Sequence, residues 1–334
     1  MIEVSHLTRQ FDTIIAVNDI AFSIAEGEIV GFLGPNGAGK TTTLRMLVGY
    51  LQPSSGLIRI MDKDINSDPI EIAMNIGYLP EQSPIYDDMI VYDYLKFIAD
   101  IRHLNPEVFS ERLDFVISKC GLREVIGQQI QTLSKGYRQR VGLAQAIIHD
   151  PKVLILDEPT SGLDPNQIME IRDLIKELGK AKTVILSSHI MQEVQAVCDR
   201  IIIINKGRII ADEPKEELGK HISEQIVLTI ELEADEADFS EWLKLNPEAT
   251  LLNSTQKGNH WKLELSYPGT KDLQRDISQF VTANHWLILG MYKHKHSLEE
   301  IFHVLTTDTE QQIAERNKTE DITEGQTEEN DNNA

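Results

Sequence analysis

Short, wholly apolar stretches alternate with amphipathic ones over the first two-thirds of the chain. Positions 2–7, 20–24 and 28–32 read as strands, with turn residues such as Glu26-Gly27 between them. Positions 40–50 read as a helix. Strands are expected at 57–61 and 76–79, separated by the turn-rich MDKDINSDP. Apolar residues at helical spacing, among them Val91, Tyr94, Leu95 and Ile98, predict a helical block over about 90–149. Strand 153–157, helix 165–178, strand 183–187 and helix 190–197 follow. A hairpin at 200–205/208–211 then turns on Lys206-Gly207. Strand–helix alternation with strands apolar on both faces implies a mostly parallel sheet covered on both sides.

The pattern changes near 220. Residues 224–305 read strand (225–233), helix (239–245), strand (250–254), strand (261–266), helix (271–283), strand (286–292) and helix (298–305). That βαββαβ order predicts a small ferredoxin-like α+β domain. From 306 to 334 there are nine acidic residues, two basic ones and no aromatics, so this stretch is expected to be a disordered acidic tail. The expected division is therefore 1–220, with a helical subdomain at about 83–150, then 221–305, then the tail.

Length agrees with two domains: 334 residues, at roughly 150 per domain. Charge narrows the function classes. Lys and Arg number 32 against 53 Asp and Glu, a net charge of −21, which repels nucleic-acid phosphates. No nucleic-acid partner is expected. The opening MIEVSHLTRQFD does not read as a secretory signal. No window approaches the ~18 consecutive apolar residues of a membrane span. Cys120 and Cys198, with no metal-type spacing, read as reduced core thiols of a cytosolic protein.

The chemistry is concentrated in a glycine loop. Gly34-Pro35-Asn36-Gly37-Ala38-Gly39-Lys40-Thr41 fits G-x-x-x-x-G-K-[ST], directly after a strand and opening a helix. Glycines let several backbone N–H groups converge on one anion, and the helix N-terminus adds partial positive charge. Lys40 can reach β/γ phosphates, the Thr41 hydroxyl can ligate Mg²⁺, and Thr42 is placed for a further phosphate contact. A second element is the apolar strand that ends in Asp157-Glu158. Asp157 suits Mg²⁺, and Glu158 suits polarising an attacking water. Together the two point to nucleoside-triphosphate hydrolysis.

Further motifs narrow the family. Leu133-Ser134-Lys135-Gly136-Tyr137-Arg138-Gln139-Arg140 resembles the LSGGQ signature of ATP-binding-cassette (ABC) ATPases. In the same order, Gln82 matches the Q-loop, Ser161-Gly-Leu-Asp164 the D-loop and His189 the switch histidine. Phe11 falls where the family places an adenine-stacking aromatic. The resemblance covers about residues 1–218. Each residue also has a plainer reading: Ser134 as a helix N-cap, His189 as a polar strand end, Gln82 as a loop amide and Phe11 as core. Lys135 and Tyr137 depart from the family's glycine and glutamine. LSKGxRQR, Gln82-x-Pro-Ile-Tyr86 and Ser297-Leu-Glu-Glu-Ile-Phe302 resemble the ABC-2 exporter subgroup, which includes gliding-motility-associated and multidrug-type subunits; the motility label itself implies no motility.

The resemblance implies the following. The fold is a phosphate-loop ABC ATPase domain, a mixed sheet with an inserted helical subdomain, followed by the α+β accessory domain. ATP and Mg²⁺ are bound. Catalysis uses Glu158, His189 and Gln82, and the metal is held by Thr41, Gln82 and Asp157. Two copies meet head to tail, so that Ser134 and Gly136 of one touch the γ-phosphate held by the other. Integral membrane permease subunits supply the channel, docking on the surface from Gln82 to about residue 104. The location is cytoplasmic, on the inner face of the membrane. The competing reading, a soluble cassette on ribosomes or DNA, is disfavoured by acidity and by the single cassette.

Overall fold

The computed structural model describes residues 1–218, 225–268 and 272–295. The helix expected at 298–305, the 297–302 motif and the acidic tail lie outside them. Contacts divide the chain into two compact units, split between Lys215 and Glu216.

The first unit opens with β1 (Ile2–Phe11), β2 (Ile14–Ile24) and β3 (Ile29–Leu33), then α1 (Lys40–Leu47). Next come β4 (Ser55–Ile60), β5 (Lys63–Asp64), α2 (Pro69–Met74) and β6 (Ile76–Leu79). The expected helical block resolves into α3 (Val91–Ile101), α4 (Pro106–Lys119) and α5 (Lys135–Ile147). After it follow β7 (Val153–Asp157), α6 (Pro165–Gly179), β8 (Thr183–Ser188), α7 (Met191–Val197), β9 (Arg200–Asn205) and β10 (Arg208–Pro214).

Two sheets result. One is antiparallel, in the order β2-β1-β4-β5; the other has the order β10-β9-β3-β8-β7-β6. In the second, β9, β3, β8, β7 and β6 are parallel and β10 closes one edge antiparallel. Its central strands are buried on both faces, which explains their unbroken apolar sequences: Val153–Asp157 is buried at every position. Leu44, Met46 and Leu47 of α1 join one apolar cluster with Ile2 and Ile58 of the first sheet and Phe32, Ile155 and Ile202 of the second. Burying each such side chain contributes about 1.5–3 kcal/mol. On β3, Gly31 leaves room for α7: a Cβ there would fall 2.2 Å from Val194 Cγ1.

Parallel register places several strand ends at one edge. Leu33 pairs with Ser188, and Asp157 with Ser187. The loops after β3, β7 and β8 therefore leave the sheet side by side, where ligands collect in open α/β folds.

The second unit contains β11 (Gln225–Glu233), α8 (Ser240–Leu245), β12 (Thr250–Lys257), β13 (His260–Pro268), α9 (Gln274–Ala283) and β14 (Leu287–Lys295). The sheet order is β12-β13-β11-β14, antiparallel throughout. This is the ferredoxin-like arrangement expected from the βαββαβ order. Leu228, Ile230, Leu263 and Leu265 pack with Phe239, Trp242, Ile277 and Val281 in a core of its own.

Candidate active site

The loop after β3 is shaped by backbone that only glycine adopts freely. Gly37 has φ 80° and Gly39 φ 108°. A Cβ on Gly37, which is exposed, would meet nothing within 4 Å, so its glycine is required by backbone conformation and not by crowding. At Gly39 a Cβ would lie 2.6 Å from the Ala16 carbonyl oxygen. No side chain caps α1 and its first turn carries no acidic residue. Its first N–H groups are thus left for an anion.

Lys40, only 6% exposed, lies inside this loop. Its Nζ donates to Gly34 O at 2.7 Å and Pro35 O at 3.2 Å, and it pairs with Glu158 Oε1 at 3.6 Å. Thr41 Oγ1 donates to Asp157 Oδ1 at 3.1 Å, and Ser187 Oγ donates to the same oxygen at 2.6 Å. Asp157 Oδ2 is buried with no partner. Such an orphaned oxygen beside a threonine hydroxyl is the hard donor chemistry that Mg²⁺ takes. Among the described residues no group of three or more His, Cys, Asp or Glu could hold a metal.

Glu158 has φ 48°, a left-handed conformation that costs a non-glycine residue about 1–3 kcal/mol. Its N–H donates to Ser187 Oγ at 3.0 Å and its carbonyl accepts from Ser161 N–H at 3.1 Å. These bonds hold the turn that carries the carboxylate over the loop. His189 Nδ1 lies 2.9 Å from Glu158 Oε2. Burial pushes the Glu158 carboxyl above its ordinary value, while the charges of Lys40 and His189 pull against that rise.

A cleft of about 470 Å³ is lined by Ala16, Glu81, Ser161, residues 36–42, Glu158 and His189. The structure thus joins most of the expected residues, with Gly34, Pro35 and Asp157 just behind them. Four stand apart. Gln82 is exposed and outside the cleft lining; its neighbour Glu81 is the residue that reaches it. Phe11 ends β1, 42% exposed, with the Arg9 guanidinium 4.5 Å over its ring. Ser134 caps α5, accepting from Tyr137 N–H at 3.4 Å, and Gly136 is buried against Gln167 of α6. Neither Ser134 nor Gly136 lines the cleft. Sequence reasoning missed Ala16, Glu81 and Ser161 as lining residues, and Ser187 as the hydroxyl that fixes Asp157. Ser187 could have been found by aligning the ends of the two adjacent parallel strands.

A glycine-rich loop entering a helix, a buried lysine and a strand-end carboxylate pair define a phosphate-loop nucleoside triphosphatase. The sequence profile of the ABC transporter family matches residues 17–161. An uncharacterised ABC transporter ATP-binding protein of Bacillus subtilis, YhcH, is 42% identical over 63% of this chain and 68% of its own length. The linearmycin resistance ATP-binding protein LnrL of the same organism is 29% identical over 92% of this chain and 99% of its own. A solved ATP-binding subunit of an ABC transporter superposes with TM-score 0.62 at 27% identity, over 66% of this chain and 93% of that one. The chain belongs to the ABC transporter family as an ATP-binding subunit, an ATPase. Among the described residues no helix is long and apolar enough to cross a membrane.

Proposed function

We propose that the chain is the motor of an ABC-2-type exporter and that two copies close head to tail around two ATP molecules. One observation carries this reading: the cleft gathers Lys40, Glu158 and His189, while Ser134 and Gly136 of the same chain lie outside it. A helix N-terminus in an ABC chain that serves no nucleotide of its own is free to serve another's. LnrL, a resistance protein by name, matches nearly the whole chain including the second unit, which supports the exporter assignment.

In this reading residues 34–42 cradle the phosphates, with Lys40 on the β/γ oxygens and Thr42 adding a contact. Thr41, Asp157 and Gln82 would hold Mg²⁺, which would supply neutralisation of phosphate charge. Glu158 orients and polarises the attacking water, and His189 holds Glu158 and meets the γ-phosphate. Phe11 supplies an apolar platform for adenine, its far face backed by Arg9. Ser134 and Gly136 complete the γ-phosphate cage of the opposite copy. ATP favours the closed pair because both copies contact it, and loss of the γ-phosphate removes those contacts. Permease subunits dock on the surface between Gln82 and about residue 104, where Tyr86, Tyr92, Phe97 and Ile101 are exposed. Residues 1–220 form the motor, 221–305 an accessory domain and 306–334 an acidic tail, and the assembly sits on the cytoplasmic face of the membrane.

Ser134→Ala separates the cap from the shared ligand. Its capping bond is long, so the stability cost is expected to be at most about 1 kcal/mol by denaturant unfolding. Loss of a γ-phosphate donor should lower turnover about 10²-fold. Turnover at the wild-type rate would leave Ser134 a cap and nothing more.

A further inference from the structure

Helix α7 carries a buried carboxylate that none of these roles uses. Glu193 is 5% exposed. Its Oε2 accepts from Thr160 Oγ1 at 2.6 Å and from Ser188 Oγ at 2.8 Å. Ser188 Oγ in turn accepts from Ile190 N–H at 3.0 Å. Ser188, just before His189, is therefore tied to this carboxylate oxygen, and Ile190, just after it, to the Ser188 hydroxyl. Thr160 is tied to the same oxygen, and it lies two residues beyond Glu158. Between them, the Pro159 carbonyl accepts from Gln139 Nε2 at 2.9 Å.

Two hydroxyl donors offset only part of the cost of taking a carboxylate out of water. An apolar side chain would fill the space between α7 and the turn without that cost. What it would not do is fix the distance between two chain segments, because apolar contacts are non-directional whereas hydrogen bonds are not. The two segments in question carry His189 and Glu158, whose side chains meet at 2.9 Å.

We infer that Glu193 is a positioning residue for ATP hydrolysis, a strut that holds the His189 segment against the Glu158 turn. The inference rests on the roles given to Glu158 and His189 above. Glu193 does not line the cleft. It acts by fixing where the carboxylate and the imidazole stand, and misplacement of such a group by ~1 Å costs about 10²-fold in rate. Because both hydroxyls bond the same oxygen, a glutamine whose amide oxygen takes that place still accepts from both.

The test is steady-state hydrolysis by the purified full chain, with ATP affinity measured separately. Glu193→Ala should lower kcat by about 10- to 100-fold and leave KM within about twofold. Glu193→Gln should restore kcat to within about threefold of wild type. In a His189→Ala background, adding Glu193→Ala should cost clearly less than it does in the wild type, since the strut then has only the Glu158 turn to place. If Glu193→Ala does not fold, as judged by lost ATP binding, Thr160→Val takes its place. It removes one of the two ties and should lower kcat several-fold at unchanged KM. Wild-type kcat in either alanine or valine variant, failure of glutamine to rescue, or full additivity with His189→Ala would overturn the inference. Glu158→Gln assayed alongside separates the levels: wild-type turnover there would overturn the site assignment itself, whereas its loss with an unaffected Glu193→Ala would overturn the strut alone.

Discussion

Glu158→Gln is expected to abolish most ATP turnover, by about 10²–10⁴-fold, while ATP still binds. The substitution keeps the side chain's shape and removes its ability to draw a proton from water. It also removes a negative charge from the cleft that receives a polyanion. Lys40, which in the resting chain faces that carboxylate at 3.6 Å, then has only loop carbonyls and phosphate to serve. Nucleotide is therefore held at least as tightly, and the closed pair accumulates because the step that opens it is missing. Phosphate release measures the first effect and sedimentation in ATP the second. Wild-type turnover would remove Glu158 from the role.

The same carboxylate contributes to the pH behaviour of the unmodified chain. Burial raises its pKa above the ordinary glutamate value, so the folded chain keeps this proton to higher pH than the unfolded chain does. The group's contribution to stability is therefore largest below the ordinary value and is lost as pH rises through the raised one. Turnover runs the other way, rising as the carboxylate ionises. Glu158→Gln removes this limb of the profile together with the activity.

Lys40→Ala has the second largest expected effect. Turnover should fall about 10²–10³-fold, and here ATP affinity falls too. The lysine is buried, so its charge acts in a poorly screened place. In the proposed site, phosphate oxygens take over the ammonium contacts that Gly34 O and Pro35 O hold in the resting chain. Removing the lysine also leaves Glu158 with His189 as its remaining positive partner. Loss of the lysine charge lets burial push the carboxyl higher still, and the stability loss is expected to be about 1–3 kcal/mol. Equilibrium nucleotide binding and denaturant unfolding check the two halves. Undiminished ATP affinity would contradict the placement of phosphates on Lys40.

The sequence was most readable where physics is local or symmetric. Val153 to Leu156 and Ile201 to Ile204 read as strands because a strand inside a covered sheet is buried on both faces, and apolar runs this short bounded by turn residues fit that setting. The glycine loop was readable because its spacing is the geometry. Less was legible in the antiparallel sheet. β1 runs on through Thr8, Arg9 and Gln10, and β2 begins ahead of Asn18 and Asp19, where one-sided exposure makes the sequence polar enough to resemble a loop. The six-residue α2 hid inside a turn-rich segment, because it is too short to show a period. Within the site, pairings remote in sequence escaped notice. The bond from Ser187 to Asp157 depends on adjacent strand ends, and Glu193 meets Thr160 only once α7 has packed on the sheet.

The head-to-tail pair is the centre of the account, and dilution tests it most directly. Turnover per chain should be measured at saturating ATP from concentrations where the purified protein is paired down to those where it is single. The shared site predicts a rate per chain that climbs steeply with concentration and vanishes for the single chain. A rate per chain that stays constant throughout, with the mass of one copy in the presence of ATP, would contradict it.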